Sequence, residues 1–542
     1  MPRMTGGQAI VAELLRHSVD VVFGLPGAQI YGLFDALHAE SKRIRVIGAR
    51  HEQGCAYMAL GYARSTGRPG IYSVVPGPGM LNTSAALLTA YGCNAPVLCL
   101  TGQVPSDFFG RGRGHLHEMR DQLATMRGLV KWADRIDHPA AAAGLVAQAF
   151  QQMRSGRPGP AALEMFWDKF TESAEIEPVD PLPLLPQPAV DLDQIDRAVA
   201  LIRAARAPMI LVGGGAVDAG AEVLELATML QAPVVALRNG RGVVSEANEL
   251  GLSIAAGHRL WSQTDIMIAI GTRLEIVEWR WGFLPDGLKR VRIDIDPAEM
   301  RRYPCDVNLV ADAAAATRAL LDAARKQGAG ASGRMDQIRA AKQQAATAIE
   351  SVQPQMSYLR IIRDVLPEDG FFVDDLSQVG FTSWFGFPVY RPRSYISSGY
   401  QGTLGSGFGT ALGVKVAHPD KAVISICGDG GFMFAVQELA TAVQYGIGLV
   451  VVIFNNASFA NVRRDQQQGF EGHVIGADLV NPDFMKLAGA FGLEGRRVSS
   501  PAEFKPVLEK ALAGSAPYLI EVQLERGMEA SPWPFINPKR PS

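Results

Sequence analysis

Short runs of Val, Ile and Leu alternate with longer amphipathic stretches along most of the chain. Residues 71–75, 97–101, 209–212, 266–270, 291–295, 423–427 and 449–454 are nearly continuous apolar segments of strand length. A strand with water on one face alternates apolar and polar residues, whereas one covered on both faces by helices is apolar throughout. The runs therefore predict parallel sheets buried between helices. The expected fold class is α/β, with three doubly wound parallel-sheet domains.

Two shifts in composition divide the chain. Residues 177–190 read EPVDPLPLLPQPAV, too rich in proline for a helix or a central strand. Residues 327–334 read QGAGASGR and lead into an Ala/Gln/Lys-rich helical stretch ending near residue 351. The expected domains are 1–175, 190–330 and 352–530, each of ordinary size. The first and third share a layout. In the first, a helix with Gly61-Tyr62-Ala63 leads to Pro69-Gly70, the strand IYSVV and the turn PGPG at 76–79. In the third, a helix with Gly409-Thr410-Ala411-Leu412-Gly413 leads to Pro419-Asp420, the strand AVISIC and the turn GDGG at 428–431. FMFAVQEL is expected to begin the next helix directly, and a helix and a strand follow the turn in both segments. This repeat predicts two domains of one topology facing a shared cleft.

Composition and charge then narrow the class. Lys plus Arg number 52 and Asp plus Glu 54, a formal net charge of −2, so no global field draws the chain to nucleic acid or an anionic membrane. The apolar run 447–454 is far below the ~18 residues of a membrane span. The opening MPRMTGGQAIVAELL lacks a signal-peptide layout, and the expected location is the cytoplasm. Five cysteines include no CxxC pair, so neither a zinc site nor a redox couple is indicated, and all but Cys305 read as small buried hydrophobes. The 57 glycines among 542 residues exceed the usual share of about 7% without any collagen-like period. They are expected at turns where backbone passes close to something.

The turn Gly428-Asp429-Gly430-Gly431 closes a buried strand, where successive glycines let backbone N–H groups approach phosphate oxygens. An aspartate there would repel a phosphate unless a cation lay between them. The next strand ends in Asn455-Asn456, which adds an oxygen ligand at the same sheet edge and completes a hard set suited to Mg²⁺. GDGGF…QEL…NN resembles the motif of thiamine-diphosphate (ThDP) enzymes, in the form found in the acetolactate synthase, pyruvate oxidase and benzaldehyde lyase superfamily. The resemblance implies that Asp429, the Asn456 side chain and the Ser458 carbonyl hold Mg²⁺ on the diphosphate. It also implies that Gly428 and the backbone of Gln378, Gly430 and Gly431 lie near the phosphates. GYQGTLG at 399–405 matches the stretch that supports the pyrimidine, with Gly402 in the turn and Leu404 as the apolar wedge that bends the cofactor.

The first segment supplies the complement. His51-Glu52-Gln53-Gly54 opens a helix after the strand-like residues 44–47, and HEQG…GYAR resembles the family's catalytic glutamate. ThDP must lose a weakly acidic proton from its thiazolium, which its own aminopyrimidine accomplishes once a partly buried carboxyl group hydrogen-bonds the ring. Glu52 is expected in that role. FGLPG with Gly27, PGPGMLN with Pro78 and Asn82, and LTGQV at 100–104 resemble loops lining the pyrimidine and the substrate pocket. In this superfamily the glutamate of one subunit reaches the cofactor held by another, so a homodimer or homotetramer with interfacial active sites is implied. His115 and His117, in GRGHLHEMRDQ, fall where relatives carry Phe-Gln-Glu, and either is a candidate proton shuttle, with a surface loop histidine as the alternative. Arg111 and Arg113 read as solvated loop charges rather than carboxylate ligands.

Several positions depart from the family pattern. Acetohydroxyacid synthases carry Met and Trp shortly after NN, where this chain has Asn461 and Asp465. That departs from branched-chain biosynthesis. Benzaldehyde lyases place a histidine in the loop after FGL, where Pro26 and Gln29 stand here. Phe459 and Asn461 are expected in the pocket, with the Asn amide available to a substrate oxygen. LVGGG at 211–215 and GSGFGT at 405–410 both lack GxGxxG. The HGT-like and RFDD stretches of flavin-binding relatives are replaced by AAGHRLW and GTRLEIVEW. FAD is therefore not expected, while a CoA-type ADP site is left open. The expected function is a Mg/ThDP-dependent enzyme that makes or breaks a C–C bond beside a carbonyl in a small 2-oxo acid, 2-hydroxy ketone or aldehyde. The alternatives are a 2-hydroxyacyl-CoA lyase or oxalyl-CoA-decarboxylase-like enzyme, and a non-catalytic binding relative, against which Glu52, Asp429 and Asn456 all stand.

Overall fold

The computed structural model describes residues 2–539. Three six-stranded sheets follow one another along the chain, and every strand in them is parallel to its neighbours. The apolar runs form strands whose ends fall within one or two residues of expectation, such as Val97–Gln103, Ile266–Ile270 and Val450–Asn455. Residues 177–190 contain no regular element, as proline dictates. A short antiparallel pair, Arg3–Thr5 with Ser173–Glu175, ties the start of the first domain to its end.

The first sheet runs, in space, Arg45–Gly48, Val21–Gly24, Gly70–Val74, Val97–Gln103, Ala161–Phe166, Trp132–Ile136. The third runs Tyr395–Ile396, Phe371–Val373, Val423–Gly428, Val450–Asn455, Tyr518–Gln523, Glu494–Val498. Numbered by chain order within each sheet, both read 2-1-3-4-6-5, so the repeat inferred from layout is a repeat of topology. The central sheet, built on Pro208–Val212 and Ile266–Ile270, reads 3-2-1-4-5-6, the doubly wound nucleotide-fold order. In such sheets the crevice for ligands lies at the carboxyl ends of the strands, where the order reverses. For the first and third sheets that point gathers the loops after Gly24, Val74, Val373 and Gly428.

The first and third domains meet through two helices, Glu52–Thr66 and Ser406–Ala417. Eleven of the fifteen residues in the former are buried, because it is covered by its own sheet on one side and the second helix on the other. Glycine makes that contact possible. A Cβ on Gly61 would stand 1.9 Å from the Thr410 carbonyl oxygen, and one on Gly413 would stand 1.9 Å from that of Met58. The Glu52–Thr66 helix is capped by His51, whose Nδ1 accepts from Gln53 N–H at 3.1 Å, and it stops at Gly67 in the left-handed region. A single apolar cluster runs through both domains, joining Phe23, Tyr57 and Met58 to Phe408, Leu412 and Leu439.

One expected element differs. The helix after Gly428 starts at Asp429 itself, lasts only to Phe432, and resumes at Glu438–Gln444. Tight turns at Phe434 and Ala435 interrupt it, and they bring the Glu438 carboxylate under the first domain. Cys55, Cys93, Cys99 and Cys427 are buried and free, as their apolar surroundings predict. Among the described residues no helix is long and apolar enough to cross a membrane.

Gly413→Ala forces a Cβ against backbone that cannot yield and is expected to cost about 1–3 kcal/mol. Gly144→Ala, in an exposed helical position with nothing within 4 Å of the new Cβ, is expected to be neutral or stabilising. Thermal unfolding of the two variants beside the parent checks the contrast, and equal melting temperatures would contradict it.

Candidate active site

The strand Val423–Gly428 delivers Asp429 to the reversal point of the third sheet, where the carboxylate is 1% exposed. Asn481 Nδ2 donates to Asp429 Oδ2 at 2.7 Å and to Asn455 Oδ1 at 2.9 Å, bridging two strand ends. Burial pushes the Asp429 carboxyl up, opposed by the Asn481 amide and nearby backbone N–H groups. Asn456 follows the next strand; its Oδ1 accepts from Ser458 N–H at 3.1 Å and Ser458 Oγ at 2.9 Å, and its Nδ2 donates to Glu529. Ala457 between them holds φ +53°, a left-handed conformation that costs energy in a residue with a Cβ. Glu529 arrives from the C-terminal segment. Burial first, and the charge of Asp429 after it, push its carboxyl up to about 7.

A cavity of about 200 Å³ opens over these groups. Its lining includes Gln378, Gly402, Leu404, Gly428, Asp429, Gly430, Gly431, Asn456, Ser458, Phe459 and Asn461, so the structure gathers all eleven third-segment candidates in one place. A Cβ on Gly430 would stand 2.3 Å from the Phe459 ring, so any larger residue there would have to displace that ring. Gln378 starts the helix Gln378–Gly386, and its buried Oε1 has no hydrogen-bond partner. Asn461 differs from expectation. Its Oδ1 accepts from Trp533 Nε1 at 2.6 Å and from Arg464, and its Nδ2 donates to Asp465 at 3.2 Å, so the amide is committed to the C-terminal segment and its own helix.

The first-segment candidates gather at the other reversal point. Glu52 Oε2 accepts from Asn82 Nδ2 at 3.0 Å, and the Pro78–Asn82 helix begins with Pro78 at its first position. Gly27 packs on Val75, where a Cβ would stand 2.5 Å from Cγ1. His117 Nδ1 lies 2.8 Å from Gln29 Oε1, and the charge of Glu52 acts on the ring. His115 instead stacks on Phe108 with centroids 4.9 Å apart, so His117 is the one turned to Glu52. Arg111 and Arg113 are exposed, as expected. Neither Glu52 nor His117 lines the cavity over Asp429 within this chain.

Several contributors were not singled out from sequence. Glu438, inside the QEL motif, accepts from the backbone N–H groups of Arg50 and His51 at 3.0–3.2 Å and thereby holds the approach to Glu52. Gln122 donates to the Gly102 carbonyl and to Glu164 and accepts from Gly77 N–H at 2.7 Å, linking three loops of the first domain. Asp374 and Asp375 are buried beneath the third-domain cavity. Asp375 accepts from Leu376 and Gly407 N–H, and Asp374 accepts from Tyr395 OH at 2.9 Å and Trp384 Nε1 at 3.2 Å. Burial pushes Asp374 up to about 6 and Asp375 to about 7.

Comparison with known families follows the same division. Residues 4–125, 195–320 and 375–522 match, in turn, the N-terminal TPP binding domain, the central domain and the C-terminal TPP binding domain of thiamine pyrophosphate enzymes. The chain belongs to the thiamine pyrophosphate enzymes. It is 32% identical over 530 residues to a probable 2-ketoarginine decarboxylase of Pseudomonas aeruginosa, an alignment covering 96% of this chain and 94% of that protein. It is 32% identical over 567 residues to an acetolactate synthase of Arthrospira platensis, covering 99% and 96% of the two chains. The large subunit of Escherichia coli acetolactate synthase isozyme 1 is 28% identical over 550 residues, covering 99% and 96%.

The central domain of this thiamine pyrophosphate enzyme carries a separate cleft of about 340 Å³ at its junction with the first domain. Gly214, Gly215, Thr272 and Asp294 line it, together with Arg64, Arg157, Arg273 and Arg393.

The buried pair sets a pH dependence. With folded values raised to about 6 and about 7, the folded chain keeps protons that the unfolded chain releases from about pH 4 upward. Their contribution to stability is present below about pH 4 and is lost as pH rises through about 7. The melting temperature is expected to fall between about pH 4 and about pH 7, and Asp375→Asn to flatten part of that fall. An unchanged slope in the variant would contradict the assignment.

Proposed function

We propose that this thiamine pyrophosphate enzyme is a Mg²⁺-dependent decarboxylase or carboligase of small 2-oxo acids. We further propose that its working site joins the first-domain half of one copy to the third-domain half of a second copy. The observation that carries this is the convergence of the third-segment residues on one cavity holding two buried carboxylates, Asp429 and Glu529. Two such groups facing one water-poor space, beside amide and carbonyl oxygens, make a donor set suited to a hard divalent cation. The names of the relatives, decarboxylase and acetolactate synthase, support 2-oxo acid chemistry.

Asp429, the Asn456 side chain and the Ser458 carbonyl would hold Mg²⁺. Gly430, Gly431 and the start of the Gln378–Gly386 helix would present backbone N–H groups to the diphosphate. Leu404 and Phe459 supply apolar walls that keep water from the reacting atoms. Bound ThDP supplies a nucleophilic carbon and an electron sink. Glu52 keeps Oε2 on Asn82 and has Oε1 left to share a proton with the pyrimidine nitrogen. Leu81 beside Asn82, Met433 and Phe434 after the diphosphate turn, and Tyr400 are large exposed apolar residues flanking the two halves, consistent with a second copy covering both.

A second ligand is favoured by the cleft in the central domain, whose glycine turns and five arginines, Arg154 among them, suit the ADP portion of CoA. That would move the substrate class to acyl-CoA. Calorimetric titration with CoA and with ADP distinguishes the two readings.

Product analysis with ThDP, Mg²⁺ and a panel of 2-oxo acids, with and without aldehydes, tests the activity; no CO₂ release from any of them would refute it. Asp429→Ala is expected to abolish Mg²⁺-dependent retention of ThDP, and undiminished retention would remove the metal assignment. Glu52→Gln and Asp429→Ala proteins, each inactive alone, are expected to regain about a quarter of parental activity when unfolded and reassembled together, because each mixed pair rebuilds one intact interfacial site. No recovery would place both residues in sites made within one chain.

A further inference from the structure

Gln29 and His117 face each other from two loops at the first-domain reversal point, and both hold left-handed backbone, with φ +76° and +62°. Neither residue is glycine, so each conformation costs energy that the surroundings must supply. The surroundings are tight. A Cβ on Gly102 would stand 2.5 Å from the Gln29 carbonyl oxygen, and one on Gly77 would stand 2.6 Å from that of His117. Gln29 is fully buried, and its amide has two assigned partners.

Those partners determine a proton position. Gln29 Nε2 lies 2.6 Å from the Leu116 carbonyl oxygen, which can only accept, so the amide nitrogen must face it. Gln29 Oε1 therefore faces His117 Nδ1 at 2.8 Å, and because Oε1 can only accept, Nδ1 must carry the hydrogen. We propose that Gln29 is a positioning residue that locks His117 in the Nδ1–H tautomer, leaving the Nε2 lone pair as the proton acceptor for a hydroxyl of the reacting substrate. The inference rests on the 2-oxo acid reading above. In the step, the hydroxyl O–H bond breaks and its proton moves to Nε2; the oxygen electron pair forms the product carbonyl as one C–C bond at that carbon breaks, and the pair from the broken bond would go to the electron sink that bound ThDP supplies. The imidazolium so formed returns the proton to solvent or to the next substrate oxygen.

The charges around the ring agree with an acceptor. Desolvation lowers the His117 pKa from its ordinary value, while Glu52, from the facing helix, raises it in part. Glu118 on the same loop is spent on the N–H groups of Gly112, Gly114 and His115, and His115 is stacked on Phe108. Glu164, under the facing strands, is paired with Arg135 at 2.5 Å.

The test is the long-range ¹H–¹⁵N spectrum of full-length protein labelled with [¹⁵N]histidine, with His117 assigned by its absence in His117→Gln. A neutral His117 bearing its hydrogen on Nδ1 is expected; a signal with hydrogen on Nε2, or a mixture, overturns the proposal. Gln29→Ala is expected to release the ring to the Nε2–H form and to lower kcat about tenfold to a hundredfold. Gln29→Glu keeps the accepting oxygen, so the Nδ1–H form persists while the acidic limb of the pH profile moves up by about one unit or more. Loss of the Nδ1–H form in Gln29→Glu, or its persistence in Gln29→Ala, also overturns the proposal. The spectrum needs no turnover, so failure of every tested 2-oxo acid counts against the activity alone.

Discussion

Gly61 and Gly413 set the distance at which two helices from different sheets pass, and the placement of Glu52 against the third domain follows from it. With no Cβ at either position, backbone meets backbone, and the first and third domains share one apolar core instead of two cores touching at a polar seam. The same contact carries Glu438 beneath the first domain, where its carboxylate takes the N–H groups of Arg50 and His51 just before Glu52. A residue of the third domain thus aims a residue of the first. Side chains larger than hydrogen at the crossing would separate the carboxylate from those N–H groups, so helix packing and Glu52 placement are one constraint.

Around this scaffold the protein buries several charged side chains, and the two halves manage them differently. In the first domain the charge is satisfied: Glu164 is paired with Arg135 and with Gln122, which continues to Gly77 and Gly102. Three loops are thereby held by one polar network whose members all find partners. In the third domain the charge is left raised. Asp429, Glu529 and the Asp374–Asp375 pair are all pushed up by burial, with few basic groups to offset them. Burial there favours the protonated carboxyls, whereas the Glu164 carboxylate of the first half is met by Arg135 and Gln122.

Legibility in the sequence followed the range of the forces involved. Strand runs such as 266–270 and 423–427 were readable because a strand covered on both faces must be apolar at every position, a purely local signature. GDGG and NN were readable as neighbours at one sheet edge because each closes a strand that is apolar throughout. Glu529 carried no such mark; it lies in an irregular C-terminal segment and becomes meaningful only when that segment returns to Asn456. Gln29 was noticed as a departure, but its partner lies 88 residues away, and neither side chain has a role without the other. For Asn461 the pattern pointed to an open amide, and Trp533 from the same returning segment closes it.

The amino-acid order by itself determined the α/β class, the repeat of the first and third domains, and the residues at the ends of the Val423–Gly428 and Val450–Asn455 strands, because burial on both faces and close backbone approach are imposed residue by residue. Only the tertiary structure decided which histidine faces Glu52, which carboxylate of the third domain holds the loop of the first, and that the two clusters of site residues lie apart within one chain. Those are questions of which distant loops meet. Each answer depends on a contact between residues far apart in the chain, and no single stretch of sequence contains both sides of it.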